Sequence, residues 1–163
     1  MQKFTIHLPE IKLLGITART SNAAEMNPAT AKIGPIMQQY MQNGIAQGTP
    51  NRKKPGTTFC VYTDYESDFT GAYTYFIGEE VTAFDNLPES LERHIIPAQI
   101  YKKFTTEPGP MPDVVIKAWQ EIWQMPTEKL GGKRSYRSDF EMYDERAADY
   151  HKAVLAIYIG IEV

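Results

Sequence analysis

Two stretches of this chain, YFIGEEV at residues 75–81 and IYIGIEV at 157–163, share Ile, Gly, Glu and Val at a separation of about 82 positions. An internal repeat constrains a fold more than local propensity does, because each copy must build the same unit. The same separation relates two helices. Ile33, Ile36, Met37, Tyr40 and Met41 follow the i, i+3, i+4, i+7, i+8 pattern of an amphipathic helix, and Val115, Ala118, Trp119, Ile122 and Trp123 repeat it. Upstream of each helix, LPEIKLLGIT and IPAQIYKKFT share an apolar-Pro opening and a Thr ending, with a few residues of drift that loops absorb.

Between helix and last strand of each half runs another extended segment, TFCVYTDYE at 58–66 and SDFEMYDE at 138–145, alternating with the period of a strand. Each half thus reads as strand, helix, strand, strand, over about residues 1–83 and 90–163, with the turn-rich FDNLPES between them. Asn27-Pro28, Pro35 and PGPMPD mark helix starts, Gly44 and MPTEKLGGK mark stops, and Pro35 predicts a kink or a short preceding turn. Many strands and one helix per half predict an α+β fold. An antiparallel sheet carries helices on one face, residues 1–163 form one domain, and a pseudo-two-fold relates the halves across a ligand cleft.

Composition narrows the function. The 163 residues are 42% hydrophobic and 23% charged, as in an ordinary globular protein, and a formal charge of −3 gives no electrostatic reason to expect nucleic-acid binding. Cys60 is the only cysteine, so no intrachain disulfide or thiolate zinc cluster can form, which points to a reducing compartment, the cytoplasm. Lys3, His7, Glu10 and Lys12 interrupt the first apolar run, and no run is long enough for a membrane span. His7, His94 and His151 show no metal-ligand spacing and are expected at the surface; no Gly-rich phosphate loop and no Gly-x-Ser-x-Gly elbow is present. No cofactor is implied.

Glu141 is the residue that asks for a chemical reason. By alternation Phe59, Val61, Phe140 and Met142 are expected to face the helices, leaving Cys60, Tyr62, Glu141 and Tyr143 on the opposite face. Which face carries the Tyr73, Tyr75, Ile77 row stays open, because register is not readable from one sequence. Ten tyrosines supply more amphipathic aromatic surface than a plain core needs. A carboxylate inside an aromatic box suits a lipophilic cation, which ring faces attract by about 0.5–2 kcal/mol each. Alternatively Glu141 is a solvated strand residue paired with Arg134, Arg137 or Arg146. Cys60 is expected to face the cleft, where a nucleophilic role would require a nearby His.

YTDYESDFTGAYTYFIGEEV, IPAQIYKKFTTEPGPMPDVVIKAWQEIW, RSYRSDFEMYDER and the closing IYIGIEV together resemble the GyrI-like effector-binding superfamily, most closely its stand-alone integron-associated effector-binding proteins. The resemblance covers the whole chain. It implies a tandem pair of strand-helix-strand-strand units around a pocket for amphipathic, often cationic, organic molecules. It also implies a buried Glu on a strand of pattern acidic-aromatic-Glu-x-Tyr, here DFEMY, which falls on Glu141. Tyr143, Tyr62, Tyr75 and Trp119 resemble aromatic wall positions, although the helix pattern places Trp119 in the core. Many relatives carry a helix-turn-helix domain, but this chain begins at the first strand, so DNA binding is not carried over. The implied function is a stand-alone small-molecule receptor, with an unidentified protein partner as an option. A hydrolase using Glu141 with Tyr143 or Tyr62 and a protein-interaction module are the alternatives.

Overall fold

The computed structural model describes residues Met1 to Val163. The elements in chain order are β1 (Gln2–Leu8), β2 (Ile11–Ser21), α1 (Asn22–Glu25), α2 (Ile33–Gln42), α3 (Ile45–Gly48), β3 (Thr58–Thr63) and β4 (Ala72–Glu80). The second half follows with β5 (Glu92–Ile96), β6 (Gln99–Thr105), α4 (Asp113–Trp123), α5 (Thr127–Leu130), β7 (Lys133–Arg134), β8 (Ser138–Tyr143) and β9 (Ala156–Glu162). The fold is α+β, with one nine-stranded antiparallel sheet. The first half has one strand more than the sequence pattern shows and the second half two, because β1 and β5 are mostly exposed arms and β7 is only two residues long.

The sheet order β1-β6-β9-β8-β3-β4-β2-β5 reads the same when the halves are exchanged, with β7 beside β9. The pseudo-two-fold passes between β3 and β8, where Cys60 and Glu141 are direct partners. The arms are exchanged. β1 pairs with β6 of the second half, and β5 with β2 of the first.

That exchange forces the sheet to curl. β1 and β2 lie six strand spacings apart along the path, roughly 29 Å if the sheet were flat. Yet only Pro9-Glu10 joins them, a link reaching no more than about 11 Å. Closing that gap brings the edges together and encloses Leu13, Phe59, Val61, Phe76, Tyr101 and Phe140 in a core made of strands alone.

The helices cover the outer face. Under α2, Ile36 and Tyr40 pack on Cys60, Tyr73, Tyr75 and Ile77; under α4, Ala118, Trp119 and Ile122 pack on Leu155, Ile157 and Ile159. This reverses the expected assignment of faces. Phe59, Val61, Phe140 and Met142 point into the curl, and the helices sit on the face of Cys60 and Glu141. Alternation separates two faces but cannot say which one meets helices when both are buried.

Local signals place the helix ends. Pro35 lies in the first turn of α2, where its missing N–H is not needed, so it starts the helix and no kink results. Asn27-Pro28 occupies the turn before α2, after the short α1 capped by Ser21. Gly44 takes the left-handed conformation at φ 58° and ends α2 as its position suggests.

Candidate functional site

Register decides what gathers on the outer face. Tyr62 is paired with Tyr75, Cys60 with Ile77 and Glu141 with Ile157, so the Tyr73, Tyr75, Ile77 row shares the face of Glu141. Phe76 and Tyr158 go to the inner core. The helices α2 and α4 lie over their own halves and leave a cavity of about 630 Å³ between them, floored by β3, β4 and β8. All five residues singled out from the sequence, Glu141, Tyr143, Tyr62, Tyr75 and Trp119, line it. Trp119 serves both expected roles. It packs in the core under α4 and presents its edge to the cavity.

Glu141 is only 3% exposed. Its oxygens accept hydrogen bonds from Tyr62 Oη at 2.7 Å, Trp119 Nε1 at 2.7 Å and Tyr143 Oη at 2.6 Å. All three donors are neutral, and Glu141 forms no salt bridge. Arg134 pairs with Asp139 at 2.6 Å, Arg137 with Glu162 at 3.7 Å and Arg146 with Asp144 at 3.1 Å, so the solvated, Arg-paired alternative for Glu141 is excluded. Burial pushes the Glu141 carboxyl above its ordinary range, and the bonds from Tyr143, Trp119 and Tyr62 oppose that shift without cancelling it. The tyrosines respond in kind: burial first, then the Glu141 charge, holds Tyr62 and Tyr143 well above an ordinary phenol. They remain donors at any physiological pH.

The rings form a connected wall. Tyr62 stands at its centre, 5.4 Å from Tyr73, 5.4 Å from Tyr75 and 5.1 Å from Trp119 between centroids. Tyr65, Tyr73, Phe69 and Trp123 add further rings to the lining, beyond those the sequence points to. For Tyr73 a signal existed, since it shares parity with Tyr75; Phe69 arrives from the loop before β4, where periodicity carries no information.

Cys60 does not reach the cavity. It is 1% exposed beneath it, and burial followed by the Glu141 charge drives its thiol well above the usual value, which removes the thiolate a nucleophile needs. Of the histidines, His7 and His151 are exposed, whereas His94 is half-buried against Phe76, with ring centroids 5.7 Å apart. No three His, Cys, Asp or Glu side chains gather in a metal-binding group. No helix is long and apolar enough to cross a membrane.

The raised carboxyl has a consequence for stability. The folded chain holds the Glu141 proton more tightly than the unfolded chain, so the contribution of Glu141 to stability is greatest at acid pH. It falls as pH rises from the ordinary carboxyl range through the raised value. Urea midpoints from pH 4 to 8 should therefore decline more steeply for the native chain than for Glu141→Gln; parallel curves would contradict a buried ionising Glu141. Glu79, also raised by burial, contributes to both curves equally.

Comparison with known proteins agrees with the architecture. The family described as integron-associated effector binding protein matches residues 6–161. YobU of Bacillus subtilis strain 168, a candidate transcriptional regulator, is 32% identical over 156 residues, covering 96% of this chain and 95% of YobU. The crystal structure of an integron cassette protein from the mobile metagenome of Vibrio cholerae superposes with a TM-score of 0.77 at 30% identity, covering 98% of this chain and 95% of that one. SAV2435, solved bound to tetraphenylphosphonium, superposes with a TM-score of 0.78 at 15% identity over 99% of this chain and 94% of its own, a likeness of fold. Because the family match spans residues 6–161 and a relative 32% identical covers 96% of it, the chain belongs to the integron-associated effector-binding protein family.

Proposed function

We propose that this protein is a cytoplasmic receptor for lipophilic organic cations, with Glu141 as counter-charge and Tyr62, Tyr75, Tyr143 and Trp119 as the aromatic wall. One observation carries the reading: a carboxylate 3% exposed at the floor of an apolar cavity, held by three neutral donors and no cation. A buried charge without a partner is costly, and a protein normally removes it or pairs it. A guest cation supplies the missing partner, and the ring faces of the wall add their own attraction. At about 630 Å³ the cavity has room for a drug-sized molecule. That SAV2435 was solved with tetraphenylphosphonium guides the choice of probe.

Binding fits this geometry better than hydrolysis. Three of the roughly four lone-pair sites of the carboxylate are already occupied, which leaves its charge available but little capacity to take a proton from water. Calorimetry with tetraphenylphosphonium and the neutral triphenylmethane, which carries no acceptor oxygen, tests the proposal. The cation should bind on the order of a hundredfold more tightly, about 2.7 kcal/mol. Equal affinity for the two would sink it.

A further inference from the structure

A second polar group faces the same cavity, and its hydrogen bonds are incomplete. Arg134 has a side chain 8% exposed, and its Nη2 donates to Asp139 Oδ2 at 2.6 Å. Its Nε and Nη1 are buried without any partner. Tyr136 covers one face of the guanidinium, its ring centroid 4.3 Å from Cζ. Buried donors are nearly always satisfied in folded proteins, and two on one guanidinium are exceptional.

The surroundings say what would satisfy them. Arg134 lines the main cavity and also a side pocket of about 230 Å³, and Phe69 and Trp123 line both as well. Those two rings are stacked at 6.4 Å between centroids and 18° between planes, so they partition the two spaces with Arg134 beside them. Asp139 is fully buried and already balances the guanidinium charge, while accepting from Tyr65 Oη at 2.6 Å and Gly160 N at 2.8 Å. What remains free are the N–H groups of two nitrogens, Nε and Nη1, on a neutralised ion pair. That combination favours an uncharged acceptor oxygen over an anion.

The spacing to Glu141 follows from the strand. Asp139 and Glu141 are two residues apart on β8, so both project from the same face, about 7 Å apart along it. Resting on the reading of Glu141 as the cation site, we propose that the cavity is two-ended. Glu141 takes the cationic end of a ligand, and Arg134 donates from Nε or Nη1 to a neutral carbonyl, ether or hydroxyl oxygen at the other end. Elongated aromatic cations that carry an acceptor are thereby held at both ends, compact symmetrical ones at Glu141 alone.

Four probes separate the two ends: (4-benzoylbenzyl)trimethylammonium, its (4-benzylbenzyl) counterpart in which methylene replaces the ketone, and the uncharged tert-butyl isostere of each. Calorimetry on the full chain and on Arg134→Lys, which keeps the charge opposite Asp139 but loses the planar fork, gives the contrasts. The ketones should bind the native chain on the order of tenfold more tightly than the methylene compounds, in the charged and the neutral pair alike. In Arg134→Lys that preference should fall to about one, while the affinity of the charged methylene compound is unchanged. A missing ketone preference in the native chain, one that survives in Arg134→Lys, or ketones that do not bind at all overturns the Arg134 subsite. Equal binding of charged and neutral isosteres, with the ketone preference intact, overturns the reading of Glu141 instead.

Discussion

Glu141→Gln should lower the affinity for tetraphenylphosphonium by roughly a hundredfold or more, about 3 kcal/mol, and leave the affinity for the acceptor-free triphenylmethane within about twofold. The substitution keeps the shape of the site. The Gln carbonyl oxygen can accept from Tyr62 and Trp119, and its amide can donate to Tyr143 Oη, whose hydroxyl hydrogen rotates to allow it. Nothing in the wall has to move, so a loss confined to cations reports on charge alone. The buried charge is also removed from the apo protein, so the variant should be more stable than the native chain above the raised carboxyl pKa. Weaker cation binding together with greater stability is the signature of a carboxylate kept for function rather than for folding. If Glu141→Gln instead unfolds the chain, the three donors hold a structural anion, and the receptor reading loses its basis.

The opposite signs of these two effects explain why Glu141 stood out in the sequence and why its surroundings did not. A carboxylate on a strand row shared with Tyr143, between Phe140 and Met142, is a charge that packing alone would not keep, and one letter suffices to see it. Its helix partner was harder to place. Trp119 belongs to the α4 pattern as a core residue, yet its indole N–H reaches Glu141, a distinction between ring body and ring edge that a period cannot express. The choice of face failed for a related reason. Both rows of β3 and β8 are buried, one by the curl and one by helices, so the apolar-against-polar contrast that orients a half-exposed strand is absent. Arg134 offered a charge within reach of Glu141, but Asp139 lies on the same strand face and takes it. The exchanged arms β1 and β5 were invisible because their partners sit in the other half. Their own residues, QKFTIHL and ERHII, are largely exposed and carry little periodic signal.

The repeat also makes a prediction about the glycine that both closing motifs keep. Gly78→Ala should destabilise the chain by roughly 3 kcal/mol or more, whereas Gly160→Ala at the matching position should cost about 1 kcal/mol. The two glycines occupy equivalent strands but meet different neighbours. Gly78 on β4 lies between Phe59 of β3 and Gly15 of β2. A methyl group there would overlap the Leu14 carbonyl oxygen and sit 2.8 Å from Phe76 Cε1, and a methyl on Gly15 would strike the Ile77 carbonyl in the same way. Backbone on both sides cannot rotate aside, so relief requires parting β2 from β4 where the sheet bends to close its curl. Around Gly160 the nearest atoms are Gln99 Oε1 and Ser135 Oγ, both at 2.7 Å, and both belong to side-chain tips that can turn away. That movement disturbs only side-chain bonds: Ser135 Oγ to Gln99 at 2.9 Å, Gln99 Nε2 to the Ser138 carbonyl at 3.0 Å and Arg137 N–H to Ser135 Oγ at 3.4 Å. Urea unfolding of the two variants measures the difference, and equal losses would mean that the halves bend alike. The asymmetry reaches the cavity as well. Tyr75 stands three residues before Gly78 on the same strand, so a parted β4 displaces its ring from Tyr62, and Gly78→Ala should weaken cation binding even under conditions where the chain remains folded.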